Sequence, residues 1–330
     1  MTWDLKFARL QAGGQHAAPT LPLGQLRLTF SAVESVPLGD YAGSLWRGAM
    51  GHQLRRLACV TRRSHCPTCP LYHGCTYSYL FETPVPPHAP KMRLYEKAPH
   101  PFVLRPGPER NRTLEPGEHL SLDVMLIGRG HDHVAPLILS LEDAAKQGVG
   151  GARRRLRLDQ VTQVDPLTRG ATVIYQPDRH ITPRPAQRLA PPPPPNGTVR
   201  LHLLTPTRLI GDGQLVNPER LRFKYLFGTL LRRISMLTSF HTDKPLDVDF
   251  RALTDHARDL PLDRAEVTWH DWTRYSSRQQ TTLEMGGLLG TLEIDGTHIA
   301  PFWPYLWLGQ FTHVGKGAVM GLGRYEIETR

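Results

Sequence analysis

Alternating apolar and polar positions predict the first strand of the chain. Leu26, Leu28 and Phe30 alternate with Arg27 and Thr29, which is the period of two expected for a half-buried strand. The same pattern predicts further strands at residues 102–104, 119–127, 161–164, 199–203, 267–272, 286–294 and 324–328. The chain therefore carries enough short strands for two small sheets.

Apolar positions that repeat with the helical period predict four helices. The first runs from Gly43 to Cys59, with its apolar residues on one side and Arg47, His52 and Arg55 on the polar side. The others are expected at residues 135–147, 218–240 and 303–311. Each half of the chain thus reads strand, helix, strands, helix, glycine-rich loop and strand. This order predicts an α+β fold of two tandem ferredoxin-like (RRM-like, split βαβ) domains.

Proline and glycine divide the chain into segments. A length of 330 residues favours two domains over one. A proline-rich stretch at residues 166–197 is predicted to be the linker, because its prolines form a stiff spacer that cannot join a sheet. The predicted segments are a flexible N-terminal stretch (1–21), a first domain (22–165), this linker and a second domain (198–330).

The C-terminal end holds four glycines within nine positions, residues 315–323. They are Gly315, Gly317, Gly321 and Gly323. Such density indicates backbone conformations that a side chain would forbid, or backbone that another group approaches closely. Exposed N–H groups in such a loop can form an anion cradle, here beside the positive charges of Lys316 and Arg324. The alternative is a glycine-rich hairpin at the chain end.

Charge points to a polyanionic partner. The chain has 40 lysine and arginine residues against 30 aspartate and glutamate residues, which gives a net charge of +10. A basic pair of domains favours nucleic acid as the partner, and an excess of arginine over lysine suits bidentate phosphate contacts. A genome rich in arginine codons is the alternative explanation of the excess.

Four cysteines lie within residues 59–75, and the chain has no others. They are Cys59, Cys66, Cys69 and Cys75. This clustering predicts a metal site, either a structural zinc ion held by four thiolates or an iron–sulfur cluster. A set of free thiols is the alternative. No apolar run is long enough to span a membrane and no secretion signal is evident, so a cytoplasmic location without disulfides is expected.

Five motifs, taken in order, resemble a known family. They are Arg47–Gly51, the four-cysteine loop with Tyr77–Glu82, the predicted helix of residues 218–241, Asp271–Gln279, and the glycine-rich loop with Arg324 and Tyr325. Over residues 22–330 the chain resembles the CRISPR precursor-RNA processing endoribonucleases. These form the Cas-six family of the RAMP superfamily, and the four-cysteine loop occurs in only some of its branches.

The resemblance implies that the chain binds CRISPR repeat RNA and cuts the precursor transcript into guide RNAs without a catalytic metal. The ribose 2′-hydroxyl attacks the neighbouring phosphate and leaves a 2′,3′-cyclic phosphate and a 5′-hydroxyl, a reaction that needs a base, an acid and a cation. Family members usually take the base from a histidine of the first domain. His52 is the candidate here, with Arg55 as phosphate clamp and Tyr41 as positioning hydroxyl, while His65 and His73 are the alternatives.

The same resemblance implies a set of RNA contacts. They are Arg47, Arg274, Ser276, Arg278, Gly315, Lys316, Gly317, Gly321, Gly323 and Arg324. The alternative for residues 274–278 is an ordinary polar hairpin tip. Two other functions stay open: a non-catalytic RAMP subunit that binds guide RNA within a larger CRISPR effector complex, and a zinc-dependent DNA-binding or adaptor protein whose functional element is the cysteine loop.

Overall fold

A computed structural model describes residues 18–85, 98–108, 111–276 and 281–330, with the side chains of residues 274–276 and 281–283 left out. Most of the predicted flexible N-terminal stretch, up to residue 17, lies outside the described residues. In the described part no helix is long and apolar enough to cross a membrane.

Among its described residues, the first half of the chain has eight strands and two α-helices. The strands are β1 (Leu21–Ala32), β2 (Val36–Pro37), β3 (Phe102–Pro106), β4 (Thr113–Leu114), β5 (His119–Ile127), β6 (Leu156–Val164), β7 (Ala171–Tyr175) and β8 (Gln187–Leu189). The helices are α1 (Gly43–Ala58) and α2 (Val134–Gln147). The main sheet has the order β3-β5-β1-β6-β7, and all its neighbouring strands are antiparallel.

Outside residues 277–280, the second half has eight strands and three α-helices. The strands are β9 (Thr198–Thr207), β10 (Ile210–Gly211), β11 (Gln214–Leu215), β12 (Arg264–His270), β13 (Thr273–Ser276), β14 (Thr281–Glu284), β15 (Gly287–Asp295) and β16 (Tyr325–Thr329). The helices are α3 (Phe223–His241), α4 (Phe250–Asp259) and α5 (Trp303–Thr312). The main sheet has the order β12-β15-β9-β16, while β13 and β14 form a separate hairpin.

Both halves have the topology that the sequence predicts. In each, two strand–helix–strand units interleave so that the third strand of the motif lies between the first and second: β3-β5-β1-β6 in one sheet and β12-β15-β9-β16 in the other. The prediction of an α+β chain with two ferredoxin-like units is therefore confirmed. The largest difference at a helix start is in α3, which begins at Phe223 rather than at residue 218, because Pro218 to Leu221 form a turn in which the Leu221 N–H donates to the Pro218 carbonyl.

The predicted linker is more ordered than a spacer, which corrects the expectation that it stays outside the sheets. Residues 171–175 pair with β6 as β7, and residues 187–189 pair with the start of β1 as β8. Strand β7 is rich in β-branched and aromatic residues and contains no proline, so its backbone N–H groups can join the ladder. The polyproline run is itself tied down, because the Trp303 indole N–H donates to the Pro192 carbonyl at 2.7 Å.

The two halves share a core. Leu26, Leu28 and Phe30 of β1 face α1 and α2, as their alternation predicts. On the other face of the same sheet, Leu21 and Met125 are buried in the apolar cluster of the second half. Burial of apolar surface on both faces of β1 therefore couples the stability of one half to that of the other.

His241, at the end of α3, makes a buried polar contact between the halves. Its Nε2–H donates to the Pro99 carbonyl at 2.7 Å, so its Nδ1 must accept from the Tyr79 hydroxyl, 2.8 Å away. Both partners belong to the first half of the chain. Burial lowers the pKa of His241 to about 4, so this histidine is neutral in the folded protein at pH 7.

We expect the folded protein to lose stability in acid because of His241. The folded-state pKa lies below the ordinary value of about 6.5, so the unfolded chain binds more protons between these two values. The contribution of His241, about 3 kcal/mol, is complete above pH 6.5 and is lost as the pH falls toward 4. Thermal midpoints of wild type and His241→Gln measured from pH 8 to pH 4 test this, since the variant should show the shallower decline. The exposed His180→Gln control should follow wild type; a parallel decline in His241→Gln would contradict the assignment.

Candidate functional site

The glycine-rich loop joins α5 to β16 through left-handed backbone. The φ angles of its four glycines are 88°, 80°, 89° and 66° in chain order. A Cβ atom on Gly321 would lie 2.6 Å from the Leu104 carbonyl oxygen of β3, and one on Gly323 would clash with the Val314 carbonyl. Both reasons that the sequence offered for the glycines, backbone conformation and close approach, therefore apply.

The glycine-rich loop packs against the rest of the protein, and part of its backbone is hydrogen-bonded there rather than exposed to solvent. Lys316 N–H donates to the Arg208 carbonyl, and Gly323 N–H donates to the Pro206 carbonyl. These bonds occupy N–H groups on which the predicted anion cradle depends. The loop thus fixes the position of the residues that follow it, while the Lys316 side chain remains exposed.

A small cleft lies where this loop meets the first half. Tyr41 and Gly43, at the start of α1, form one wall, and Gly321 and Arg324 form the other. The Arg324 side chain is 37% exposed and donates to Glu326 at 2.6 Å. The structure therefore brings three of the predicted residues together, Tyr41, Gly321 and Arg324, although about 280 positions separate the first from the last.

The end of strand β12 lies against two residues of this cleft, Asp40 and Tyr41. The Tyr41 ring lies 4.9 Å from the Trp272 ring and 5.9 Å from the His270 ring, both in edge-on geometry. His270 Nε2 lies 3.4 Å from the Asp40 carboxylate. Sequence reasoning missed this histidine; the available signal was its place in a predicted strand that leads directly into the Asp271–Gln279 motif.

Two stretches of the chain match known protein families. Residues 201–325 match the family model described as CRISPR-associated endoribonuclease Cas6, and residues 21–186 match a model described as an N-terminal domain. The second half of the chain therefore matches the Cas6 family. A search of curated protein sequences gave no match.

Solved structures share the fold of this chain. One is a Cas6 product complex, 17% identical, with a TM-score of 0.56 over 93% of this chain and 100% of the other. Another is a partial Cas6-RT-Cas1–Cas2 complex, 11% identical, with a TM-score of 0.52 over 95% of this chain. The present chain spans 47% of that longer protein.

His52, the predicted catalytic base, lies away from the cleft. Helix α1 meets the glycine-rich loop at Gly43, and His52 follows nine residues later. At 1.5 Å and 100° per residue, this places it about 14 Å along the axis and on the opposite side of the helix. His52 is exposed and lines a separate groove with Arg55, Arg56 and Arg62. The structure therefore does not bring His52 to Tyr41.

Arg55 and Arg47 already contact protein groups. The Arg55 guanidinium donates to the carbonyls of Arg63 and Ser64 and lies over the Tyr77 ring, 5.6 Å from its centroid. Arg47 lies over the Phe81 ring at 5.2 Å. Arg55 thereby braces the cysteine loop, which weighs against its predicted use as a phosphate clamp.

The four cysteines line one small cavity at the end of α1. Their thiols are free, and within the described residues no three potential ligands are grouped closely enough to hold a metal ion as they stand. Burial raises the pKa of the Cys66 thiol, and hydrogen bonds from the Thr61 hydroxyl and the Leu71 N–H lower the pKa of the Cys69 thiol. The histidines of the same loop, His65 and His73, are exposed.

The predicted RNA contacts at residues 274–278 can be placed only in part. Arg274 and Ser276 lie in β13, which pairs with β14 in a hairpin that follows β12 in the chain. Their side chains, and Arg278 as a whole, lie outside the described residues.

Proposed function

We propose that this chain is an endoribonuclease that binds CRISPR repeat RNA and cleaves the precursor transcript once per repeat, without a catalytic metal. The observation that carries the proposal is the cleft between the halves of a chain whose second half matches the Cas6 family, where Tyr41 of one half faces Gly321 and Arg324 of the other. A charge of +10 favours a long polyanion over a small neutral substrate.

The chemistry that we propose uses the RNA's own nucleophile. The 2′-oxygen attacks the adjacent phosphorus, the bond from phosphorus to the 5′-oxygen breaks, and the products carry a 2′,3′-cyclic phosphate and a 5′-hydroxyl. Negative charge builds up on the phosphoryl oxygens in the transition state, and a cation placed there in advance stabilises it. Arg324 is suitably placed for this role, and the Tyr41 hydroxyl can hold the phosphate in position.

Cleavage of labelled repeat RNA in the presence of EDTA tests this function. We expect cutting at one position to continue in the chelator, and to stop when the ribose before the cut is replaced by 2′-deoxyribose. Binding should persist with the deoxy RNA and should weaken steeply with salt, since arginine–phosphate contacts release counterions. Binding without any product would instead support a non-catalytic RAMP subunit that holds guide RNA within an effector complex. Preference for duplex DNA over repeat RNA would support a zinc-dependent DNA-binding or adaptor protein.

We also propose that the four cysteines hold a structural zinc ion. Thiolates from a Cys-x2-Cys pair and two flanking cysteines are a suitable ligand set, and all four line one cavity. The loop would close slightly to bring the sulfur atoms to ligating distance. When bound, the ion would fix the segment that Arg55 braces and would take no part in cleavage.

Metal content of the purified protein tests the zinc proposal. We expect about one zinc ion per chain, and substantially less in Cys69→Ser, because loss of one of four thiolates weakens a tetrahedral site. His73→Ala, in the same loop but away from the cavity, should keep the metal. Visible absorption with bound iron would indicate a cluster instead, and a metal-free protein with normal stability would rule out both.

A further inference from the structure

His270 carries the features of a base that is held in place by a carboxylate. Its Nε2 is shielded from solvent and lies 3.4 Å from Asp40 Oδ2, slightly beyond an ordinary hydrogen bond. The other ring nitrogen, Nδ1, makes no hydrogen bond within the described part of the chain. Unlike Nε2 it is not buried, and the His270 side chain as a whole is 37% exposed. A proton on Nε2 directed at Asp40 leaves the Nδ1 lone pair free to accept another.

The surroundings of His270 join it to the cleft. Asp40 and Tyr41 line the same cleft as Arg324, and both also contact His270. The rings of Tyr41 and Trp272 pack edge-on against each other, and this contact restricts the movement of Tyr41 beside His270. A phosphate held by Arg324 would therefore have a proton acceptor on one flank and a cation on the other, which are two of the three groups that the cleavage needs.

Two buried histidines of the second half are unsuited to the role. Both ring nitrogens of His241 are engaged, by Tyr79 and Pro99. Both nitrogens of His313 are engaged as well, by the Arg105 guanidinium and the Leu322 carbonyl. A base must have a free nitrogen within reach of its proton, and these two do not.

We propose that His270 is the general base of the cleavage and that Asp40 is the positioning residue that holds its ring. This inference rests on the proposed ribonuclease function. Nδ1 takes the proton of the 2′-hydroxyl while the bond from the 2′-oxygen to phosphorus forms. The bond to the 5′-oxygen breaks, that oxygen leaves with a proton from water, and the imidazolium then returns its proton to solvent. The contact with Asp40 shortens when the RNA closes the cleft, as catalytic hydrogen bonds commonly do.

Single-turnover cleavage of labelled repeat RNA by His270→Ala tests the inference. We expect the rate to fall by a factor of about 10² to 10⁴, with RNA affinity within about two-fold of wild type. Added imidazole should restore part of the rate, which would not follow if His270 only supported the fold. Asp40→Asn should lower the rate at least about ten-fold with unchanged affinity, since its carboxylate orients the ring.

His202→Ala is the matched control. His202 lies in the same sheet, its side chain is 35% exposed against 37% for His270, and it contacts a carboxylate, Glu328, at 3.0 Å. It should cut at the wild-type rate. Cleavage at the wild-type rate by His270→Ala would overturn this inference and leave the proposed ribonuclease function intact. Loss of cleavage in His52→Ala, with cleavage kept in His270→Ala, would do the same and would identify His52 as the base. Failure of the wild-type protein to cut would instead remove the proposed function, and with it the role of His270.

Discussion

Replacing Arg105 by methionine should lower the free energy of unfolding by about 3 kcal/mol or more. Arg105 extends from β3 of the first half and packs, half-buried, against the C-terminal end of α5 in the second. Its guanidinium donates to the carbonyls of Gln310 and Phe311, at 2.7 and 2.9 Å, and to His313 Nε2 at 2.9 Å. Methionine would fill much of the space but leave two helix-end carbonyls and one buried ring nitrogen without a donor.

Charge and burial both contribute to the effect at Arg105. The last carbonyls of a helix carry partial negative charge, and a cation beside them is stabilising. Burial lowers the pKa of Arg105 to about 9, so the side chain remains largely protonated at neutral pH. Arg233 donates to the Thr312 carbonyl of the same helix end at 2.8 Å, so two half-buried arginines meet there. Arg105→Lys should recover only part of the lost free energy of unfolding, because one ammonium group cannot reproduce the planar set of N–H donors of a guanidinium.

Urea unfolding measures this prediction. The midpoint of Arg105→Met should fall with little change in slope. Arg179→Met, an exposed arginine in a loop of the first half, should stay within about 0.5 kcal/mol of wild type. Equal stability of the two variants would mean that the Arg105 guanidinium contributes nothing net.

Two glycines of helix α1 should respond to alanine with opposite signs. A Cβ atom on Gly43 would clash with the Met320 carbonyl of the glycine-rich loop, whereas a Cβ atom on Gly48 would meet nothing within 4 Å. Gly48→Ala should therefore stabilise the protein by about 0.5–1 kcal/mol, because alanine is the better helix former. Gly43→Ala should destabilise it by about 2 kcal/mol or more, since a backbone carbonyl cannot rotate away as a side chain can.

The same pair of variants separates stability from activity. Displacement of the loop by Gly43→Ala would move Gly321 and Arg324 relative to Tyr41, so we expect RNA cleavage to fall by about 10²-fold. Thermal melting and single-turnover cleavage, measured on both variants, test the two effects together. Gly48→Ala should cut at the wild-type rate. A Gly43→Ala protein as stable and active as Gly48→Ala would show that the loop is not fixed against α1.

Local patterns in the sequence predicted the topology but not the assembled site. Alternation identified β1, because one face of that strand meets helices, yet it gave no sign that Leu21 joins the core of the second half. The glycine spacing correctly indicated left-handed backbone, which depends on residues close in sequence. The pairing of Asp40 with His270 depends on how the halves dock, and no periodicity within either half encodes it. His52 was chosen because it shares a helix face with Arg55, but in the folded chain that face lies away from Tyr41.

The segment between the halves bears on how substrate enters and leaves. Residues 187–189 pair with the start of β1 as β8, and the bond from the Trp303 indole to the Pro192 carbonyl holds the residues that follow to α5. A connection held at these points favours a rigid link over a hinge, and the shared core resists separation of the halves. Under the proposed function, RNA therefore binds across a surface that is already formed, and the cut strand leaves without the halves separating.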